Sequence, residues 1–212
     1  MKKTLSSMII FVLFSALLPC HAQQEGDGYG TTTLPDGSFY KGHFQDKLFN
    51  GHGILTWQDG SKYVGEFKQG LMDGNGVLTQ KEGSRYSGEF KDGLKNGKGV
   101  LTRPNGTNYR GDFKDGLYHG TGIFISRTGT SYKGEFKNGL YHGKGVFVSH
   151  SGTRYEGEFK EGLYHGQGVF VSHSGARYEG QFKDGLPHGN GILTSASGAV
   201  FQGKFEKGKK AQ

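Results

Sequence analysis

Cysteine is almost missing from this chain. The single one, Cys20, stands near the start, so the remainder can build neither a disulfide nor a thiolate metal cluster. Its stability must come from packing and strand pairing. Proline occurs four times and tryptophan once, which excludes a proline-rich linker. Only one long apolar run is present, roughly Met8 to Leu18, and it is shorter than the ~20 residues of a spanning helix. Beyond it no apolar period of 3.6 appears, so no amphipathic helix is expected. A phosphate-cradling loop, which needs a strand, a longer glycine pattern and a helix, is excluded with it.

Glycine is what the chain has instead: 40 residues, well above the usual ~7%. No Gly-X-Y triplet runs through it, so it is not collagen. The 16 phenylalanines and 11 tyrosines argue against a disordered glycine linker. Glycine with regular aromatics points to tight turns between short strands. The formal charge of +7 permits attraction to anionic surfaces without demanding it.

The first residues read as a leader. Lys2 and Lys3 precede the apolar run, and Cys20-His21-Ala22 fits a small-x-small cleavage site, the three-part form of a secretory signal peptide. The expectation is cleavage after Ala22 and export, periplasmic or secreted if the source is bacterial. An uncleaved anchor and a lipid attached at Cys20 stay open. No nucleic-acid partner is expected for an exported chain.

A repeat organises everything that follows. Tyr40, Tyr63, Tyr86, Tyr109, Tyr132, Tyr155 and Tyr178 are each 23 residues apart, and Phe201 continues the series. Each is followed at i+2 by glycine and at i+4 by phenylalanine, as in Tyr132, Gly134 and Phe136. Period two puts these three on one face of a strand and Lys133 and Glu135 on the other. A turn at Gly139, a second strand at Gly145 to Val148 and a second turn at Gly152 complete a hairpin unit. The spacing predicts a linker over 23–27, an array over 28–208 with seven full units and a partial unit at each end, and a basic tail over 209–212. A lone hairpin is barely stable, and stacked hairpins bury one another's apolar faces. The expected fold is therefore all-β: one solenoid-like, elongated, twisted antiparallel sheet. The bare strand glycines, such as Gly134 and Gly145, leave room for neighbouring aromatic rings.

"YKGEFKNGLYHGKG", Tyr132 to Gly145, closely resembles the MORN repeat (membrane occupation and recognition nexus). The resemblance covers about Gly28 to Gly208. Phenylalanine stands where the family often has tryptophan, Lys47 at a turn-glycine position, and Asn50, Asp73 and Asn96 at the histidine position. It implies elongated sheets of stacked hairpins with a groove, and association with membrane junctions, phospholipids and protein assembly.

"GLYHG" recurs at Gly116–Gly120, Gly139–Gly143 and Gly162–Gly166, placing His119, His142 and His165 in register. Equivalent atoms one unit apart are ~10 Å apart in a sheet. Two nitrogens on one zinc must lie within about 4 Å of each other, so this column cannot share a metal. "VSHSG" at Val148 to Gly152 is not a nucleophile elbow. No catalytic group, metal site or cofactor is expected. The histidines, with Gly139 and Gly143, read as turn residues.

Two charged columns, Glu66 to Glu158 and Lys68 to Lys183, read as a solvated face. Tyr118, Tyr141 and Tyr164, together with His119, His142 and His165 beside them, form a candidate binding strip, since tyrosine offers contact area at low entropy cost. Second-strand Ile125, Val148 and Val171 make the same units more apolar than those with threonine there. The expected function is an exported, non-enzymatic scaffold that binds a protein partner or membrane surface along an extended groove. Phospholipid headgroups and envelope carbohydrate remain alternatives. A homodimer through the N-terminal sheet edge, around Thr31 to Thr33, is a further expectation.

Overall fold

The computed structural model describes residues 26–211. The expected leader, its cleavage point at Ala22, Cys20 and most of the expected linker lie outside these residues. The described residues form strands and turns without a helix. The first hairpins comprise β1 (Gly28–Thr33), β2 (Phe39–Gln45), β3 (Leu48–Thr56), β4 (Lys62–Lys68), β5 (Leu71–Thr79), β6 (Arg85–Lys91) and β7 (Leu94–Thr102). The middle of the array is β8 (Asn108–Lys114), β9 (Leu117–Ile125), β10 (Ser131–Lys137), β11 (Leu140–Val148), β12 (Arg154–Lys160) and β13 (Leu163–Val171). β14 (Arg177–Lys183), β15 (Leu186–Thr194), β16 (Val200–Glu206) and the short β17 (Lys209–Lys210) follow. Successive strands pair antiparallel in chain order, making one sheet of 17 strands. Lys209 and Lys210, expected in a tail, instead pair with Glu206 and Phe205.

The β10–β11 hairpin shows why these residues fold this way. Lys137 pairs with Leu140, so the turn holds only Asn138 and Gly139, at φ 52° and 82°. Two consecutive positive φ values define the tight hairpin turn that follows strand twist. The histidine stretch was expected in that turn and is not. Tyr141 and His142 belong to β11 and pair with Phe136 and Glu135. A two-residue turn needs nothing beyond Asn138-Gly139. Gly143, at φ 53°, serves a bulge where the register slips between Gly134 and Glu135.

A single-layer sheet has no second layer to bury its side chains, yet Tyr132 has 0% exposure. Its ring lies across the bare backbone of paired Gly134 and Gly145. Phe136 packs edge-on at 5.0 Å on one side, Phe159 of the next hairpin at 5.0 Å on the other, and Tyr141 stacks above at 3.9 Å. The hydroxyl donates to the carbonyls of Glu135 at 2.9 Å and His142 at 3.2 Å. Each such box removes an aromatic ring from water, worth about 2–3 kcal/mol. Tyr40, Tyr63, Tyr86, Tyr109 and Tyr155 are buried in the same way. This ladder is the core, and it commits every hairpin to its neighbours.

Candidate functional site

Alternation divides the sheet into an aromatic face, carrying the ladder, and a charged face. Tyr118, Tyr141 and Tyr164 lie on the aromatic face as lids, stacked on Tyr109, Tyr132 and Tyr155 at 3.8, 3.9 and 3.8 Å. They are half-buried, not freely exposed. Burial raises the pKa of all three. In the other hairpins the lid is Phe49, stacked on Tyr40 at 3.7 Å, then Met72, Lys95 and Pro187. The Lys95 Nζ stands 5.5 Å from the centre of the Tyr86 ring.

Sequence reasoning missed the residues that join the lids. Phe124 lies 6.4 Å from both Tyr118 and Tyr141, and Phe147 lies 6.3 Å from Tyr141 and Tyr164. Phe170 extends the row from Tyr164 at 6.2 Å. Six half-buried rings thus run across β9 to β13 as one zigzag. The available signal was a 23-residue column in which Phe124, Phe147 and Phe170 replace Leu55, Leu78, Leu101 and Leu193.

His119, His142 and His165 sit at the strand-strand bulges. Their backbone carbonyls accept hydrogen bonds from Tyr109 at 3.3 Å, Tyr132 at 3.2 Å and Tyr155 at 3.2 Å. The His119 Nδ1 is buried without a hydrogen-bond partner. Asp73, at the same repeat position, accepts instead from the backbone N–H of Asp92 in the next turn. Among the described residues no group of three potential ligands could hold a metal.

The acidic column does more than face solvent. Glu135 Oε1 accepts the N–H of Lys144 at 2.8 Å, nine residues on. Glu66, Glu89, Asp112 and Glu158 do the same for Asn75, Lys98, Thr121 and Gln167. Each carboxylate therefore closes the bulge of its hairpin, beside a histidine in the case of Asp112, Glu135 and Glu158. Hydrogen bonds from the Thr121 N–H and hydroxyl and from Lys98 outweigh the opposing effect of burial and hold the Asp112 carboxyl below the usual range.

The charged face carries a row in which lysines pair with exposed leucines: Lys114 with Leu117, Lys137 with Leu140, Lys160 with Leu163. These leucines are 48–49% exposed. A concavity of about 550 Å³ also lies on this face, between β2 and β6, lined by Lys41, His43, His52, Ile54 and Val64. This concavity and the aromatic strip are thus on opposite faces and at different places along the array.

The MORN repeat family model matches residues 27–39, 40–62, 63–85, 86–108, 109–131, 132–154, 155–177 and 178–200. No curated protein matches the chain. Among solved structures, the chain is similar to the SAS-4 TCP domain of Drosophila melanogaster, solved with a proline-rich motif of Ana2, at 11% identity and a TM-score of 0.39. That alignment covers 91% of this chain and 97% of the other. Virginiamycin B lyase from Staphylococcus aureus aligns at 15% identity and a TM-score of 0.19, over 88% of this chain and 58% of the lyase.

Proposed function

Because the chain belongs to the MORN repeat family, we propose that it is a non-enzymatic scaffold that binds a protein partner across its aromatic face. Repeats of this family form scaffolds that often bind membranes or proteins. The observation that carries the reading is the zigzag of Tyr118, Phe124, Tyr141, Phe147, Tyr164 and Phe170, spaced 6.2–6.4 Å from ring to ring. The rings are held by the ladder beneath them, so a partner gains aromatic contact with little ordering cost. His119, His142 and His165 support this strip from the adjoining bulges. We place the protein outside the cytoplasm, periplasmic or secreted in a bacterial source, on the leader pattern of Met1 to Ala22.

The test uses substitutions that the array already contains. Phe124→Leu, Phe147→Leu and Phe170→Leu together give this column the leucine that the first three hairpins carry at Leu55, Leu78 and Leu101 and leave the tyrosine lids in place. Crosslinking and mass spectrometry on the native cell fraction should find a protein joined to the strip in the wild type and lost in the triple variant. Crosslinks that survive unchanged in the triple variant reject the reading.

A second reading is favoured by the row of lysines and exposed leucines on the charged face. Apolar tips flanked by cations suit the surface of an anionic bilayer. Flotation with vesicles containing an anionic phospholipid should then be lost in Leu117→Gln, Leu140→Gln and Leu163→Gln combined, and untouched by the phenylalanine substitutions.

A further inference from the structure

The aromatic strip has a distinctive end. The lid column is apolar or aromatic except at Lys95, one hairpin before Tyr118, and at Lys210, which stands 4.4 Å from the Phe201 ring at the far end of the array. Arg103 stands just past the end of β7, at the repeat position where Trp57 packs against the ladder. Its guanidinium is close enough to act on both Lys95 and Tyr118. Burial, helped by Arg103, pulls the Lys95 ammonium below its usual pKa, while Glu82 opposes the shift. Neither cation forms an ion pair within 4 Å among the described residues. The Tyr118 hydroxyl is buried with no acceptor in reach of its proton, and the Arg103 guanidinium bears on its oxygen as a donor. Two neighbouring cations without a closely paired carboxylate, beside a phenol with an unused donor, repel each other and lack the acceptor that would relieve them.

We propose that Lys95, Arg103 and Tyr118 form an anion-accepting subsite at the head of the strip, where it fixes an acidic side chain of an extended peptide. The inference rests on the protein-binding reading and adds the chemistry and direction of the partner. Hairpins repeat every ~10 Å, and an extended chain in the polyproline II conformation turns once every three residues while rising ~3.1 Å per residue, about 9 Å per turn. Every third residue of a peptide crossing the strands therefore meets a successive hairpin. An acidic residue at Lys95 places apolar side chains three, six and nine positions further at Tyr118, Tyr141 and Tyr164. The carboxylate satisfies both cations and the phenol in charge-assisted bonds.

The probe is the acetylated, amidated decapeptide Glu-Ser-Ser-Leu-Ser-Ser-Leu-Ser-Ser-Leu, compared with its Gln-first counterpart by fluorescence anisotropy on the full chain. The Glu peptide should bind about fivefold or more tightly than the Gln peptide, with a preference that shrinks as salt rises. Lys95→Met, Arg103→Gln and Tyr118→Phe introduce the side chains that the equivalent repeat positions carry at Met72, Gln80 and Phe49, so each should fold. Each should lower the Glu preference, and Lys95→Met with Arg103→Gln should remove it while the Gln peptide binds as before. Equal binding of the two peptides to the wild type, or a preference that survives the double substitution, overturns the subsite and leaves the strip standing. Failure of both peptides to bind overturns the subsite and the peptide-binding strip together.

Discussion

Gly145 lies directly beneath the hydroxyl of Tyr132: a Cβ added to the glycine would stand 2.4 Å from that oxygen. The paired Gly134 is equally closed, with the Gly145 Cα and the Lys144 carbonyl at 2.6 Å. The Tyr132 ring, boxed in by Phe136, Phe159 and Tyr141, cannot withdraw as a free side chain can. Gly145→Ala should therefore cost about 3 kcal/mol in urea unfolding. Gly139→Ala is the contrast, because that glycine holds φ 82° and has nothing within 4 Å. Its cost should be about 1 kcal/mol, from backbone strain alone. Similar costs at the two sites would mean that ring packing on bare backbone is not what confines the strand glycines.

Lys47 is the exception among the hairpin turns. It holds φ 62° next to Asp46 at 49°, where the later turns place glycine second. A left-handed conformation costs a side-chain-bearing residue roughly 1–2 kcal/mol. Lys47→Gly should thus stabilise the protein by about 1 kcal/mol, less what glycine gains in unfolded-chain freedom. A midpoint of denaturation that moves down would reject this.

Much of this architecture is legible in the residues, for identifiable reasons. Tyr132, Gly134 and Phe136 alternate, and alternation alone assigns a face and a strand. The bulge was not legible, because Gly143 looks like turn punctuation. Its positive φ instead accommodates Glu135, whose carboxylate bonds Lys144 across the hairpin. Nothing local in "GLYHG" distinguishes the two uses. The lids were half-legible: the repetition of Tyr118, Tyr141 and Tyr164 marks them, but their stacking on the ladder depends on where the next strand lies. Phe124, Phe147 and Phe170 were hidden because a change from leucine to phenylalanine looks like an exchange within a core.

The bulge carboxylates make a second use of the repeat as its own control. Gln181 stands in the acidic column and still accepts the Asn190 N–H at 3.0 Å. An amide oxygen therefore suffices. Glu135→Gln should cost well under 1 kcal/mol, and Glu135→Ala about 1–2 kcal/mol, because it orphans the Lys144 N–H. Hydrogen exchange at the Lys144 amide should rise in the alanine variant only. Equal effects would assign the column to charge instead of to the bond.

The ladder also sets the response to alkali. Burial pushes the Tyr40 phenol up to about 12, assisted by Tyr29. Burial likewise raises Tyr63, Tyr86, Tyr109, Tyr132 and Tyr155 well above the ordinary range, with the neighbouring Glu66, Glu89, Asp112, Glu135 and Glu158 adding to it. In the unfolded chain these phenols ionise near ~10. The unfolded state thus loses protons first as pH rises, and linkage makes stability fall wherever it does so. The ladder's contribution should be complete below pH ~10 and lost as pH climbs from there toward the folded-state values, at up to ~1.4 kcal/mol per pH unit for each tyrosine. Tyrosinate absorbance and circular dichroism should therefore change together in one cooperative alkaline transition. Ladder phenols that titrate near ~10 while the sheet remains intact would show that the boxes are open to water.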